Sequence, residues 1–172
     1  MERDDWADRH VARWQDHWSG IQFDEDVEAI TVRLGRIVRY LERTTKASIA
    51  EVGLQEFEYR TLHVLMIRDT PGHASPSELA KDVDISPAGM SGRLDSMEEA
   101  GWLRRTTSVS DRRRVDVEIT RAGLEIWQRA MGLRGSYEDE LLGVLTPEER
   151  HELAAMLKRL TLSIEDESEQ QA

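Results

Sequence analysis

The chain has 172 residues, a formal net charge of −11 and a pI of about 4.9. That length suits one domain with a sizeable core and falls short of a clear two-domain split. No apolar run reaches the roughly 18–20 residues of a membrane span, and the acidic first twenty residues lack the apolar segment of a signal peptide, so the expected location is the cytoplasm. The absence of cysteine excludes disulfides, thiolate metal sites and cysteine-based peroxide sensing.

Asp4 to Ser19 reads as a short amphipathic helix carrying Trp6, Trp14 and Trp18, the last two four apart and on one face. Gly20 breaks it. Asp24 then caps a long helix to about Glu51, with Val27, Ile30, Leu34, Val38 and Leu41 at helical spacing and Gly53 ending it. Gln55 to Ile67 reads as a helix with Phe57, Leu62, Val64 and Leu65 inward, followed by a turn around Pro71.

Ser75-Pro76-Ser77-Glu78 is a strong helix start, with Ser75 as cap, Pro76 in the first helical position and Glu78 completing a capping box. The helix is short, because Ser86-Pro87 opens another almost at once. Two helices joined by so tight a turn form a helix-turn-helix. The second runs from Pro87 to about Ala100, with Met90, Leu94 and Met97 as its buried stripe and Gly101 as its stop. Its other face carries Ala88, Gly89, Ser91, Gly92, Arg93 and Ser96, small or polar residues that let something large approach.

The period then changes to two. Val115, Val117 and Ile119 alternate with Asp116 and Glu118, which predicts a half-buried strand paired with Leu103 to Thr107. The fold class that follows is mainly α, a winged helix-turn-helix with one small β-hairpin wing. Thr120 caps a helix with Leu124, Trp127 and Met131 on one stripe. Thr146-Pro147-Glu148-Glu149 is a second capping box, opening a helix with Leu153, Met156, Leu157 and Leu160 at coiled-coil-like spacing. From Ser163 the chain reads as a polar, acidic, frayed tail, disordered over residues 165–172.

The net acidity hides a local basic patch. Acids gather near both ends, whereas Arg104, Arg105, Arg112, Arg113 and Arg114 face Asp111 alone between Leu103 and Arg114. Distribution outweighs the total in phosphate recognition. A solvated charge run is the plain alternative, but a position at a hairpin tip beside a helix-turn-helix favours DNA contact. Arg104 and Arg105 leave two readings open, phosphate contact or cross-strand pairing with Asp116 or Glu118. Ser86, Ser91 and Ser96 can donate to phosphates or base edges, or simply cap and face solvent. The tryptophans read first as packing residues. His10, His17, His63, His73 and His151 lack metal-ligand spacing, and no nucleophile-base pair or phosphate loop appears, so no metal, cofactor or enzymatic activity is expected.

Three segments carry a resemblance: Ser75-Pro76-Ser77-Glu78-Leu79-Ala80, the stretch from Ile85 to Leu103, and Ser110-Asp111-Arg112-Arg113-Arg114-Val115 leading to Ile119-Thr120. With this order of elements and the Asp111-x-Arg113 pair, the chain resembles the MarR (multiple antibiotic resistance regulator) transcription factors over roughly Asp24 to Leu162. The resemblance implies a homodimer on a pseudo-palindromic double-stranded DNA operator. Residues 24–52 and 121–164 would form the dimerisation region, residues 54–120 the winged helix-turn-helix, and residues 1–20 an extension. It places the helix from Pro87 in the major groove and Arg113 in the minor groove. The candidate DNA contacts are then Ser75, Ser77, Ser86, Ala88, Gly89, Ser91, Arg93, Arg104, Asp111, Arg112, Arg113 and Arg114. The chain is also similar to the urate-responsive branch, whose Glu-Phe-Asp reads Glu56-Phe57-Glu58 here. That similarity implies a small anionic or aromatic effector near Trp14, Trp18, Glu58 and Arg93, and release of a repressor from DNA. The expectation from another class is a protein-interaction module that uses the winged helix as scaffold.

Overall fold

The computed structural model describes residues 3–17, 24–107 and 115–170. The chain divides into two compact units, Met1–Met131 and Gly132–Ala172.

The first unit begins with α1 (Trp6–His17) packed on α2 (Glu25–Glu51). Asp24 caps α2 by accepting from the backbone N–H groups of Asp26 and Val27 (2.9 and 3.1 Å). Glu25, Asp26 and Glu28 add negative charge where the helix dipole is positive. At the far end Gly53 takes φ +79°, and the Leu54 N–H reaches back to the Ile49 carbonyl (3.1 Å). Arg33 of α2 holds α1 in a fork, bonding both oxygens of Asp5 (2.9 and 3.1 Å) and Asp8 (2.6 Å). Those Arg33 hydrogen bonds, helped by the N–H of Asp8, lower the Asp5 carboxyl to about 2. His10 stacks on Trp6 (4.9 Å), tilts against Trp14 (5.5 Å) and lies 3.2 Å from the Glu28 carboxylate.

Next come α3 (Glu56–Met66), β1 (His73–Ala74), α4 (Pro76–Asp82), α5 (Pro87–Glu99), β2 (Leu103–Thr107), β3 (Val115–Ile119) and α6 (Arg121–Leu142). The core gathers Leu62 and Leu65 of α3, Leu79 of α4, Met90, Leu94 and Met97 of α5, and Leu103 and Val117 of the strands, each essentially inaccessible. The predicted two-stranded hairpin is part of a three-stranded antiparallel sheet in the order β1-β3-β2. β1 adds two residues, His73 opposite Glu118 and Ala74 opposite Val117. Gly72, at φ +85°, makes the turn that feeds it. Two residues are too few to register as alternation, so the sequence shows only the hairpin.

Gly101 (φ +80°) ends α5. Thr120 caps α6, accepting from the Gly123 N–H (3.0 Å) while its own hydroxyl donates to the Gly101 carbonyl (2.6 Å). Gly123 sits so close to the Trp102 carbonyl that a β-carbon there would fall 2.1 Å from its oxygen.

In the second unit, α7 (Pro147–Gln170) opens on the expected capping box. The Thr146 N–H donates to the Glu149 carboxylate (2.8 Å), and the Glu149 N–H to the Thr146 hydroxyl (3.2 Å). Helix continues to Gln170, through most of the segment read as a disordered tail. No glycine or proline follows Pro147 to stop it. The Ser163 and Ser168 hydroxyls bond back to the carbonyls of Leu160 and Ile164 (3.1 and 2.9 Å). Among the described residues no helix is long and apolar enough to cross a membrane.

Candidate nucleic-acid interface

The helix-turn-helix is built by local capping. Ser75 accepts from the Glu78 N–H (3.3 Å), its hydroxyl donates to the Glu78 carboxylate (2.7 Å), and the same carboxylate accepts the Ser75 N–H (2.8 Å). The Ser77 hydroxyl lies 3.1 Å from that of Ser75. The turn to α5 is made by Asp84 at φ +55°, a left-handed conformation that aspartate tolerates. Ser86 then caps α5 by accepting from the Gly89 N–H (3.1 Å). Ser75, Pro76, Ser77, Pro87 and Val115 line a cleft of about 330 Å³ where both helices begin beside β3.

With Met90, Leu94 and Met97 buried, the opposite face of α5 is turned outward. Ala88, Gly89, Ser91, Gly92 and Ser96 are all exposed, and a β-carbon on Gly92 would meet nothing within 4 Å. This face is bare enough for a groove floor to come close. Arg93 differs from its neighbours. It is half-buried, with its guanidinium 5.6 Å above the Phe57 ring of α3.

The hairpin lies alongside, in register from Leu103 opposite Ile119 to Thr107 opposite Val115. Its tip, and with it Asp111, Arg112, Arg113 and Arg114, lies outside the described residues. Of the two readings left open for the base arginines, Arg104 follows the cross-strand pairing and Arg105 follows neither. Arg104 makes the cross-strand pair, with Nε 2.6 Å from the Glu118 carboxylate, yet its side chain is 66% exposed. Glu118 also has His73 at 3.7 Å and Thr106 at 3.5 Å. Arg105 turns the other way, onto Ser91, Asp95 and Glu98 of α5.

The residues expected around an effector sit on three elements. Trp14 belongs to the α1–α2 layer against His10. Arg93 is on α5 over Phe57. Glu58 is buried on α3, where its carboxylate accepts the Gln55 N–H (2.7 Å) and so closes the first turn of that helix. A local signal for this was present in the sequence, since Gln55 precedes Glu58 by three residues. Trp18 lies outside the described residues. Sequence reasoning missed Arg68, which joins the end of α3 to Glu78 (3.3 Å) and Asp82 of α4. It also missed the Arg33 fork. Both join residues far apart in the chain, and no spacing rule announces such pairs.

Comparison with known proteins gives this arrangement a family. A MarR family profile matches residues 57–115, from α3 to the first residue of β3. The chain is 30% identical over 145 residues to the HTH-type transcriptional regulator PecS of Dickeya dadantii, covering 83% of this chain and 87% of that one. It is 28% identical over 141 residues to the HTH-type transcriptional repressor Rv2887 of Mycobacterium tuberculosis, covering 82% and 97%. In fold it is similar to YusO of Bacillus subtilis, at a TM-score of 0.70 with 20% identity over 83% of this chain and 99% of that one. It is likewise similar to a MepR variant of S. aureus bound to an oligodeoxyribonucleotide, at a TM-score of 0.62 with 17% identity and the same coverage. The bare-faced helix, the hairpin beside it and the extended match to PecS together make this chain a member of the MarR family of transcriptional regulators.

Proposed function

We propose that this regulator binds double-stranded DNA in a sequence-specific manner as a homodimer in the cytoplasm. It acts as a repressor that a small anionic or aromatic ligand releases. The observation that carries the reading is α5: one face locked into the core by Met90, Leu94 and Met97, the other small and open at Ala88, Gly89, Ser91, Gly92 and Ser96 and flanked by a hairpin. In this reading α5 enters the major groove. Ser86 and Ser91 donate to phosphates and base edges, Ser75 and Ser77 stand beside the backbone at the start of α4, Ala88 and Gly89 permit the approach, and Arg93 reads a base or holds the effector. Arg104 reaches a phosphate from the hairpin base, and Arg112, Arg113 and Arg114 near Asp111 serve the minor groove.

Dimerisation is supported by apolar side chains left at the surface. Val27, Ile30, Ile37 and Val38 of α2 are each more than 40% exposed, as are Met156, Leu160, Leu162 and Ile164 of α7. Such stripes on a single protomer call for a partner surface. Two-fold symmetry then sets the half-sites roughly 10 bp apart. A ligand shifts the DNA equilibrium only by its differential affinity for the two arrangements of the reading heads. The stacking of Arg93 on Phe57 supports that role for it, because an anion that draws its guanidinium from the ring alters the α3–α5 contact. The regulator does no chemistry of its own in this reading. Footprinting across the region upstream of its own gene tests it. Two protected half-sites about one helical turn apart are expected, and diffuse protection without sequence preference would refute the reading.

A further inference from the structure

Arg105 stands in β2 opposite Val117, yet its side chain binds α5. Its Nη2 donates to the Ser91 carbonyl (3.0 Å), and its Nη1 contacts the Asp95 carboxylate. Glu98 is engaged twice: its Oε1 accepts the Arg105 backbone N–H (2.9 Å), and its Oε2 lies 3.8 Å from Nη1. Ser91, Asp95 and Glu98 are spaced by four and then three residues, so they form one stripe along α5. The Arg105 side chain is 26% exposed, and both of its Nη atoms contact acceptors on α5. Charge sharpens the point. Between Pro87 and Glu99 the only cation is Arg93, against the acids Asp95, Glu98 and Glu99. A helix that enters a groove lined by phosphates carries a net negative charge of its own, and like charges brought together oppose binding.

We propose that Arg105 is a positioning residue for DNA recognition. It neutralises Asp95 and Glu98 on the flank of α5 and fixes the angle of the hairpin against that helix, without touching DNA. The proposal rests on the DNA-binding reading above. It separates two neighbouring arginines by role, with Arg104 available to phosphate and Arg105 committed inward.

The test is an anisotropy titration of a labelled duplex from the region upstream of the protein's own gene, with a scrambled duplex of equal length as control. Arg105→Ala should bind the specific duplex roughly tenfold or more weakly. The slope of log affinity against log salt should change by less than the roughly 0.9 that one lost phosphate contact produces. Adding Asp95→Asn and Glu98→Gln to that variant should recover affinity at least about threefold at low salt, since the unneutralised carboxylates are then gone. If Arg105→Ala loses helicity, Arg105→Gln retains a donor for the Ser91 carbonyl, and the same recovery is expected from it. A slope reduced by about one unit with no recovery would make Arg105 a phosphate contact and overturn the proposal. Unchanged affinity would also overturn it. Failure of the unaltered protein to prefer the specific duplex would instead sink the DNA-binding reading itself, which keeps the two failures apart.

Discussion

Replacing Gly123 by alanine sets helix propensity against packing, and the structure decides the sign. Alanine is favoured over glycine in a helix by up to about 1 kcal/mol, so propensity alone predicts stabilisation. The new β-carbon, however, would fall 2.1 Å from the Trp102 carbonyl oxygen, 2.9 Å from its carbon and 3.0 Å from Ile119 Cγ1. Relief requires α6 to draw back from the end of α5 by about 1 Å or more, because a rigid backbone carbonyl cannot swing aside. That carbonyl accepts from the Thr120 N–H (3.1 Å) and hydroxyl (3.2 Å), so the retreat strains both bonds. Overpacking costs about 1–3 kcal/mol and a weakened hydrogen bond about 1 kcal/mol. After the propensity gain, a net loss of about 1–3 kcal/mol remains, or roughly 2–12 °C in Tm for a chain of this size. Thermal melting followed by circular dichroism, at one fixed protomer concentration, measures it. A Tm equal to or above that of the unaltered protein would show that α6 does not approach Trp102 this closely, and the reasoning would fail.

Acid should loosen α1 from α2. Asp5 is held at about 2, below its ordinary 3.8, by the Arg33 hydrogen bonds. A depressed carboxyl contributes stability that is complete above its unfolded value and is lost as pH falls toward the folded one. Tryptophan fluorescence, sensitive to Trp6 and Trp14 on α1, should therefore show a transition between about pH 4 and 2 that Arg33→Met lacks. An identical transition in both proteins would place its origin elsewhere. At the hairpin, Arg113→Ala should weaken binding to the upstream duplex about tenfold or more while light scattering still reports a dimer. Unchanged affinity would remove the wing tip from recognition.

The parts of this architecture that the sequence made legible are those whose signal is local. Ser75 with Glu78, Ser86 with Pro87, and Thr146 with Glu149 each act within one helical turn, and all three caps form as read. The stripe of Met90, Leu94 and Met97 states which face of α5 is inside, and so which face is free. The alternation from Val115 to Ile119 gives the strand. Interactions that cross the fold were hidden. Arg105 reaches residues 10 and 14 positions earlier in the chain, and Arg33 reaches back 28. Either arginine looks in sequence like an ordinary surface charge. The cap that Glu58 makes on α3 is equally local, announced by Gln55 three residues earlier. Acidic polar composition after Ser163 predicts disorder, whereas α7 runs on to Gln170 because no glycine or proline there breaks a helix.

In the proposed reading, this acidic protein grips DNA through one local cationic surface, the hairpin arginines beside α5. Salt dependence of binding to the upstream duplex tests this most directly, because each phosphate neutralised steepens the fall of affinity with salt. The prediction is binding at low micromolar protein or tighter, falling by at least about tenfold between 50 and 200 mM salt, with the scrambled duplex bound far more weakly throughout. Absent binding, or binding indifferent to salt, would contradict it.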